Sequence, residues 1–215
     1  GIPGLKVAFP ATARDAKGML AASLSANDPV VFFESQRLYD QVETIHPDGV
    51  PREYFRTPVG VPNLVEEGSD LTILSVGAAL GRAREAAQML RENYGLSVEV
   101  IDARWLVPFD YELLLESVHK TGRLVCVSDA TLRGSWLNTV ATTVSTHAFD
   151  SLDAPVCVVG ARNWIAPPAE LEWEYFVTAN DILDVVHEQV IPLSGHTVQD
   201  GPLASGDLAE SARGI

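Results

Sequence analysis

The sequence is short of several residue types that mark whole classes of protein. It has two cysteines in 215 residues, and Cys126 and Cys157 each lie inside an apolar run that reads as a strand. That placement fits buried free thiols in a reducing compartment and argues against a disulfide framework. Basic residues are scarce, 15 Lys and Arg against 29 Asp and Glu for a formal net charge of -14, so nucleic acid and anionic membrane surfaces would be repelled. No run of about 18 apolar residues and no basic-plus-apolar leader occurs. Cytoplasm is the expected location, or the mitochondrial matrix in a eukaryote. The histidines His46, His119, His147, His187 and His196 show no two- or four-residue metal spacing with one another or with cysteine, which argues against zinc. No GxSxG elbow and no GxxxxGK[ST] loop is present, so hydrolase and nucleotide triphosphatase readings lack their starting residues.

What the sequence does hold is 47% hydrophobic residues, enough for a substantial core. Residues 5–9 and 29–34 read as strands and 12–26 as a helix between them, with Thr12 placed to cap it and Asp15 in its first turn. One βαβ unit cannot cover both faces of a sheet, so residues 1 to about 38 read as part of a larger domain that begins elsewhere. Residues 40–69 are interrupted by Pro47, Gly49, Pro51, Pro58, Gly60, Pro62 and Gly68 and read as a connection. From Leu71 strands and helices alternate: strand 71–77, helix 79–94, strand 97–102, helix 110–120, strand 123–129, helix 135–149, strand 154–160 and a last helix near 178–190. The expected fold is therefore a three-layer α/β/α domain with a mainly parallel sheet, preceded by a partial α/β unit. After Pro192 periodicity is lost and a mobile tail, 193–215, is expected.

Two turns invite chemical readings. VGAALGRA puts Gly77 and Gly81 at a helix amino end, where backbone amides could hold a phosphate. Its spacing is not GxGxxG, and a tight strand-to-helix turn uses glycine without any ligand, so structure is the favoured explanation. The segment IDARWLVPFD joins a strand to a helix through Asp102, Arg104, Pro108 and Asp110, with Asp110 able to cap the helix. Asp102 and Arg104 sit two apart on a strand end and share a face; a salt-bridged turn and a contact with a partner chain both remain open.

The ordered segments GLKVAFPATARDAKGML, NDPVVFFESQRLYD, TPVGVPNLVEEGSDLTILSVG and VEVIDARWLVPFDYELLLESVHKTGRLVCVSD resemble the β subunit of pyruvate and branched-chain 2-oxo acid dehydrogenases, members of the transketolase-like family. The resemblance spans residues 2 to about 190. It implies that 1–45 end a pyrimidine-binding domain, 46–69 link it onward, and 70–192 form the family's carboxyl-terminal domain. It also implies thiamine-diphosphate-dependent decarboxylation of a 2-oxo acid, with acyl transfer to a lipoyl-bearing acyltransferase component. The implied partners are an α subunit or α region, which holds the diphosphate and magnesium, and a dimer mate. The glutamate that activates the cofactor, the aromatic that stacks on it and the histidine before GLKV belong upstream of residue 1, and no GDG motif occurs. The isolated chain is therefore expected to be inactive.

Departures from the family pattern point to local candidates. Ser35, Gln36 and Arg37 stand where relatives have a His-Lys or Pro-Lys pair. This turn follows the carboxyl end of a strand, where α/β sheets place ligands, which makes Gln36 and Arg37 candidates for a substrate or cofactor entrance. Ser128, Asp129 and Trp136 replace a His-Glu and Gly-Gly-Phe-like pattern, and Trp164 and Trp173 make a usually Pro-rich loop more aromatic. In related subunits the turn after the first helix binds potassium; here Ser23, Leu24, Ser25, Ala26, Asn27 and Asp28 occupy it, so Leu24 and Asp28 are candidate ligands for a monovalent cation. On the last helix Asp181, Asp184 and Glu188 are expected to share a face, either a docking surface for a basic lipoyl-component module or an ordinary solvated face. Two other functions stay open: a transketolase or deoxyxylulose-phosphate synthase type of enzyme, and a non-catalytic dimerisation or docking module.

Overall fold

The computed structural model describes residues 2–199. Its first unit follows the expected βαβ order, with β1 (Lys6–Ala8), α1 (Ala13–Leu24) and β2 (Val30–Phe32). Strands β1 and β2 run parallel, Lys6 opposite Val30 and Ala8 opposite Phe32. Thr12 caps α1, its Oγ1 accepting the Asp15 N–H at 3.1 Å. The connection that follows lies against α1, where the Thr57 N–H donates to the Gly18 carbonyl at 3.1 Å. A Cβ on Gly18 would stand 2.3 Å from Thr57 Oγ1 and 2.5 Å from the Phe55 ring, so only glycine admits this approach.

The second unit is built on a five-stranded sheet. Its strands are β3 (Asn63–Glu66), β4 (Leu71–Ser75), β5 (Val98–Asp102), β7 (Leu124–Thr131) and β8 (Cys157–Ala161). The order is β3-β5-β4-β7-β8, parallel except for β3, which pairs antiparallel with β5. Strands β4 and β5 are buried throughout, as a sheet covered on both faces requires. Alternation sends Ile73, Val100 and Val125 to one face, under α2 (Ala79–Tyr94) and α6 (Ala179–Val185). Leu74, Ile101 and Cys126 go to the other, under α3 (Glu112–Thr121) and α4 (Trp136–His147). The result is three layers and a mixed, mainly parallel sheet, as expected.

Four details differ from the sequence reading. The stretch read as connection carries strand β3. The stretch read as a turn before α3 carries β6 (Trp105–Val107), which pairs antiparallel with β1, so the chain returns to the first sheet in the order β2-β1-β6. The last helix is α-helical only to Val185 and continues as a π turn over Val186–Val190, after the short α5 (Glu172–Tyr175). The start of the expected mobile tail is packed: Leu193 is buried and its N–H donates to His187 Nδ1 at 2.9 Å. The rest of that tail, 200–215, lies outside the described residues.

Candidate functional site

A buried polar arrangement lies where the two sheets meet. On α1 the buried positions are Asp15, Gly18, Met19 and Ala22, a single helical face that carries a carboxylate inward. Asp15 is 2% exposed; its Oδ1 lies 2.8 Å from Arg104 Nη2 and its Oδ2 3.5 Å from His46 Nε2. Arg104 is the residue at which the chain leaves β5 for β6. It adopts φ 59, the left-handed region, and its carbonyl accepts the Phe9 N–H at 2.9 Å. Its own N–H donates to Asp102 Oδ1 at 3.1 Å.

Asp102 and Arg104 are therefore joined through the backbone, while the guanidinium pairs with Asp15. The left-handed turn at Arg104 accompanies this redirection of its side chain toward α1. Asp102 is fully buried. Burial, and then the neighbouring Asp15 charge, push its carboxyl up to about 7 against the opposing pull of the Arg104 N–H and charge. Among the described residues, Asp102 Oδ2, Arg104 Nε and His46 Nε2 have no hydrogen-bond partner. Beyond the crossing, the Val107–Pro108 bond is cis, and the Asp110 N–H donates to the Gly60 carbonyl at 2.8 Å. Asp110 Oδ1 accepts the Glu112 N–H at 3.0 Å, so Asp110 satisfies an amide of the first turn of α3, as a cap would, although the boundary residue is Tyr111.

The candidate entrance is an exposed turn over Gln36–Leu38. Arg37 pairs with Glu172, and its guanidinium stands 4.2 Å from the centre of the Phe176 ring, which fastens the first unit to the α5 region. A cavity of about 340 Å³ opens nearby at the carboxyl ends of β1 and β2, lined by Thr12, Glu34, Tyr39, Glu43, Gly81 and Arg84 among others, but by neither Gln36 nor Arg37. Burial would raise the Glu43 carboxyl, yet the N–H groups of Arg14, His46 and Ile45 hold it below its ordinary range.

The three acids of the last helix do not form a common solvated face. Asp181 closes a capping box with Thr178, its Oδ2 accepting the Thr178 N–H at 2.7 Å. Asp184 is buried; its Oδ1 lies 2.6 Å from His196 Nε2, and its Oδ2 accepts the Gln199 N–H at 3.1 Å. His196 Nδ1 in turn lies 3.0 Å from the Tyr94 hydroxyl. Only Glu188 of the three is exposed with no structural task of this kind. The shared docking face is corrected accordingly, because burial of Asp184 against the returning chain removes its centre.

At the candidate cation turn Asp28 pairs with Lys6 Nζ and the Leu24 side chain points to solvent. The Ala22 and Ser23 carbonyls accept the N–H groups of Ser25 and Ala26. Asp129 pairs with Arg82, the Ser128 hydroxyl accepts the Ala130 N–H at 3.3 Å, and Trp136 meets Phe109 edge to face at 5.1 Å. Trp164 lies beneath the Arg162 guanidinium, and the Trp173 side chain lies outside the described ones. Both cysteines are free and buried, and burial raises both thiols, Cys157 to about 11.

A diphosphate needs a cradle of free amides and magnesium needs converging oxygen ligands. At the glycine turn after β4 a Cβ on Gly77, φ 58, would stand 2.5 Å from the Phe9 ring. That turn is filled by an aromatic side chain. The glycine turn therefore does not fit a diphosphate. Among the described residues no three His, Cys, Asp or Glu side chains converge on a point that could hold a metal ion. No helix among them is long and apolar enough to cross a membrane.

Comparison with known proteins agrees with this architecture. Residues 60–182 match the family model of the transketolase C-terminal domain. The β subunit of the pyruvate dehydrogenase E1 component from Staphylococcus epidermidis is 38% identical over 182 residues, 85% of this chain and 54% of that protein. The β subunit of acetoin:2,6-dichlorophenolindophenol oxidoreductase from Bacillus subtilis is 37% identical over 188 residues, 87% of this chain and 53% of that one. A solved structure described as a split gene transketolase, inactive β4 tetramer, superposes with a TM-score of 0.70 at 29% identity, covering 88% of this chain and 58% of the other. The chain belongs to the transketolase C-terminal domain family and is related to 2-oxo acid dehydrogenase β subunits. It spans about half the length of the curated relatives it matches.

Proposed function

We propose that this chain is the carboxyl-terminal part of the β subunit of a thiamine-diphosphate-dependent 2-oxo acid dehydrogenase. It builds part of the active-site wall and the subunit contacts, while an α subunit or region holds the diphosphate and magnesium. Residues 1–45 complete a pyrimidine-binding domain, 46–69 connect, and 70–192 are the carboxyl-terminal domain. A dimer mate and a lipoyl-bearing acyltransferase component complete the set of partners, and the cytoplasm is the location this reading favours. The observation that carries the reading is the 38% identity to a pyruvate dehydrogenase β subunit along 182 residues, 85% of this chain.

The test is reconstitution of the chain with an α subunit and an amino-terminal β half from Staphylococcus epidermidis. Pyruvate, branched-chain 2-oxo acids and acetoin are supplied in turn, with reduction of dichlorophenolindophenol as readout. The expected result is thiamine-diphosphate-dependent activity on a 2-oxo acid that requires this chain. Activity on ketose phosphates instead would move it to the transketolase type, and assembly without any activity to a docking module. Titration calorimetry of the chain alone is expected to show no micromolar binding of thiamine diphosphate with magnesium; such binding would overturn the division of labour.

A further inference from the structure

We propose that Asp102, Asp15, Arg104 and His46 form a proton-controlled clasp that fixes the three-stranded unit to the five-stranded sheet and loosens when Asp102 gives up its proton. The groups come from three separate stretches: Asp15 from α1, His46 from the connection, and Asp102 and Arg104 from the crossing between β5 and β6. Asp15 and Asp102 are both essentially without solvent, and Arg104 is 12% exposed at its side chain. Arg104 holds the left-handed region, costly for a residue with a Cβ, through the Asp15 pair on its side chain and the Asp102 and Phe9 bonds on its backbone.

Charge decides the rest. Asp15 and Arg104 neutralise each other, so an ionised Asp102 adds an uncompensated buried charge beside the Asp15 carboxylate. Its Oδ2, without a hydrogen-bond partner among the described residues, is the atom on which the acid form places its proton. The strands flanking Asp102 present only Asn63 and Ser75 at its register positions, and Ser75 Oγ already donates to the Val127 carbonyl. Glu43, an acid of the connection that reaches the amino end of α1, is tied to backbone amides. A carboxyl raised in the closed state favours closure most at low pH, and that advantage is lost as pH rises through its titration at about 7. The opening equilibrium should then climb by up to about tenfold per pH unit between pH 5 and 7, then level off.

Hydrogen exchange of the full chain, corrected for intrinsic rates and followed over residues 6–24 and 103–109 from pH 5 to 8, reads this directly. Wild type should lose up to about 100-fold protection between pH 5 and 7, with little change over 71–75 and 124–127. Asp102→Asn should keep a flat profile, and His46→Gln should retain a pH-dependent one. Equal profiles for wild type and Asp102→Asn overturn the clasp, as does protection that rises with pH. If Asp102→Asn does not fold, carbon-13 NMR of wild-type aspartate carboxyls decides: the expected result is one buried carboxyl titrating between pH 6 and 8, and none in that range refutes the proposal.

Discussion

The two sheets are held by different forces. The five-stranded sheet has an apolar cluster on each face, Ile73, Leu90, Val100 and Ile182 on one and Leu74, Leu114, Leu124 and Val140 on the other. The three-stranded unit has one cluster with four buried members, Ala8, Met19, Ala22 and Trp105, and the largest of them comes from the far side of the crossing. Phe33 and Leu20 remain exposed on this unit. A sheet with both faces covered draws its stability from burial, at roughly 25 cal/mol per Å² of apolar surface. A unit covered on one face depends on borrowed contacts, here Trp105 and the polar clasp. The second unit thus carries its own core, and the first is positioned by what the second lends it.

The sharpest way to break this contrast is Trp105→Ala. Removing a fully buried aromatic should cost about 3–5 kcal/mol, and the loss should appear in hydrogen exchange of β1, α1 and β2 before it reaches β4 or β7. Leu74→Ala, at about 2–5 kcal/mol, should instead lower the global unfolding free energy in urea. If both variants melt the molecule as one unit with the same exchange pattern, the two sheets are not separable in stability. Arg104→Ala leaves the buried Asp15 carboxylate without its ion-pair partner, and about 1–3 kcal/mol should be lost, again first in the small unit. Unchanged melting would show that the clasp contributes nothing.

The contrast also explains what could be read in the sequence. Strands β4, β5, β7 and β8 and their helices were legible because the periodicities of two and 3.6 are local and strong there. Strands β3 and β6 were not, because each is three or four residues long and exists through pairing with a strand distant in sequence. Asp15 could have been found: it falls on the Gly18, Met19, Ala22 face of α1, which marks it as buried. Thr178 and Asp181 likewise spell a capping box, whereas the burial of Asp184 depends on His196 and Gln199 returning from beyond the helix. The division at Arg104 left no local signal, since nothing about an arginine announces a left-handed turn.

A smaller effect concerns the cysteines. Burial raises both thiols, so neither should react with a disulfide reagent at pH 8 while the chain is folded. Cys157, whose Sγ lies 3.5 Å from the Pro155 carbonyl and 3.4 Å from Gln189 Oε1 near the end of the last helix, should react first as urea approaches the transition. Prompt reaction of Cys126 in buffer would mean that the large sheet opens more readily than its two covered faces imply.

The smallest expected effect tests the last helix, where burial and exposure alternate within one turn. Glu188→Ser changes a solvated position and should shift stability by no more than about 0.5 kcal/mol. Asp184→Ser removes the acceptor of both the His196 ring and the Gln199 amide, leaving those groups to find water or remain unpaired, at about 1–3 kcal/mol. It should also free residues 193–199, which in this structure return to the last helix through Asp184 and His187 and to the end of α2 through Tyr94. Limited proteolysis separates the cases: cleavage after Pro192 should quicken in Asp184→Ser and stay at the wild-type rate in Glu188→Ser. Equal rates in all three proteins would place the hold on this segment elsewhere, with the buried Leu193 the next side chain to remove.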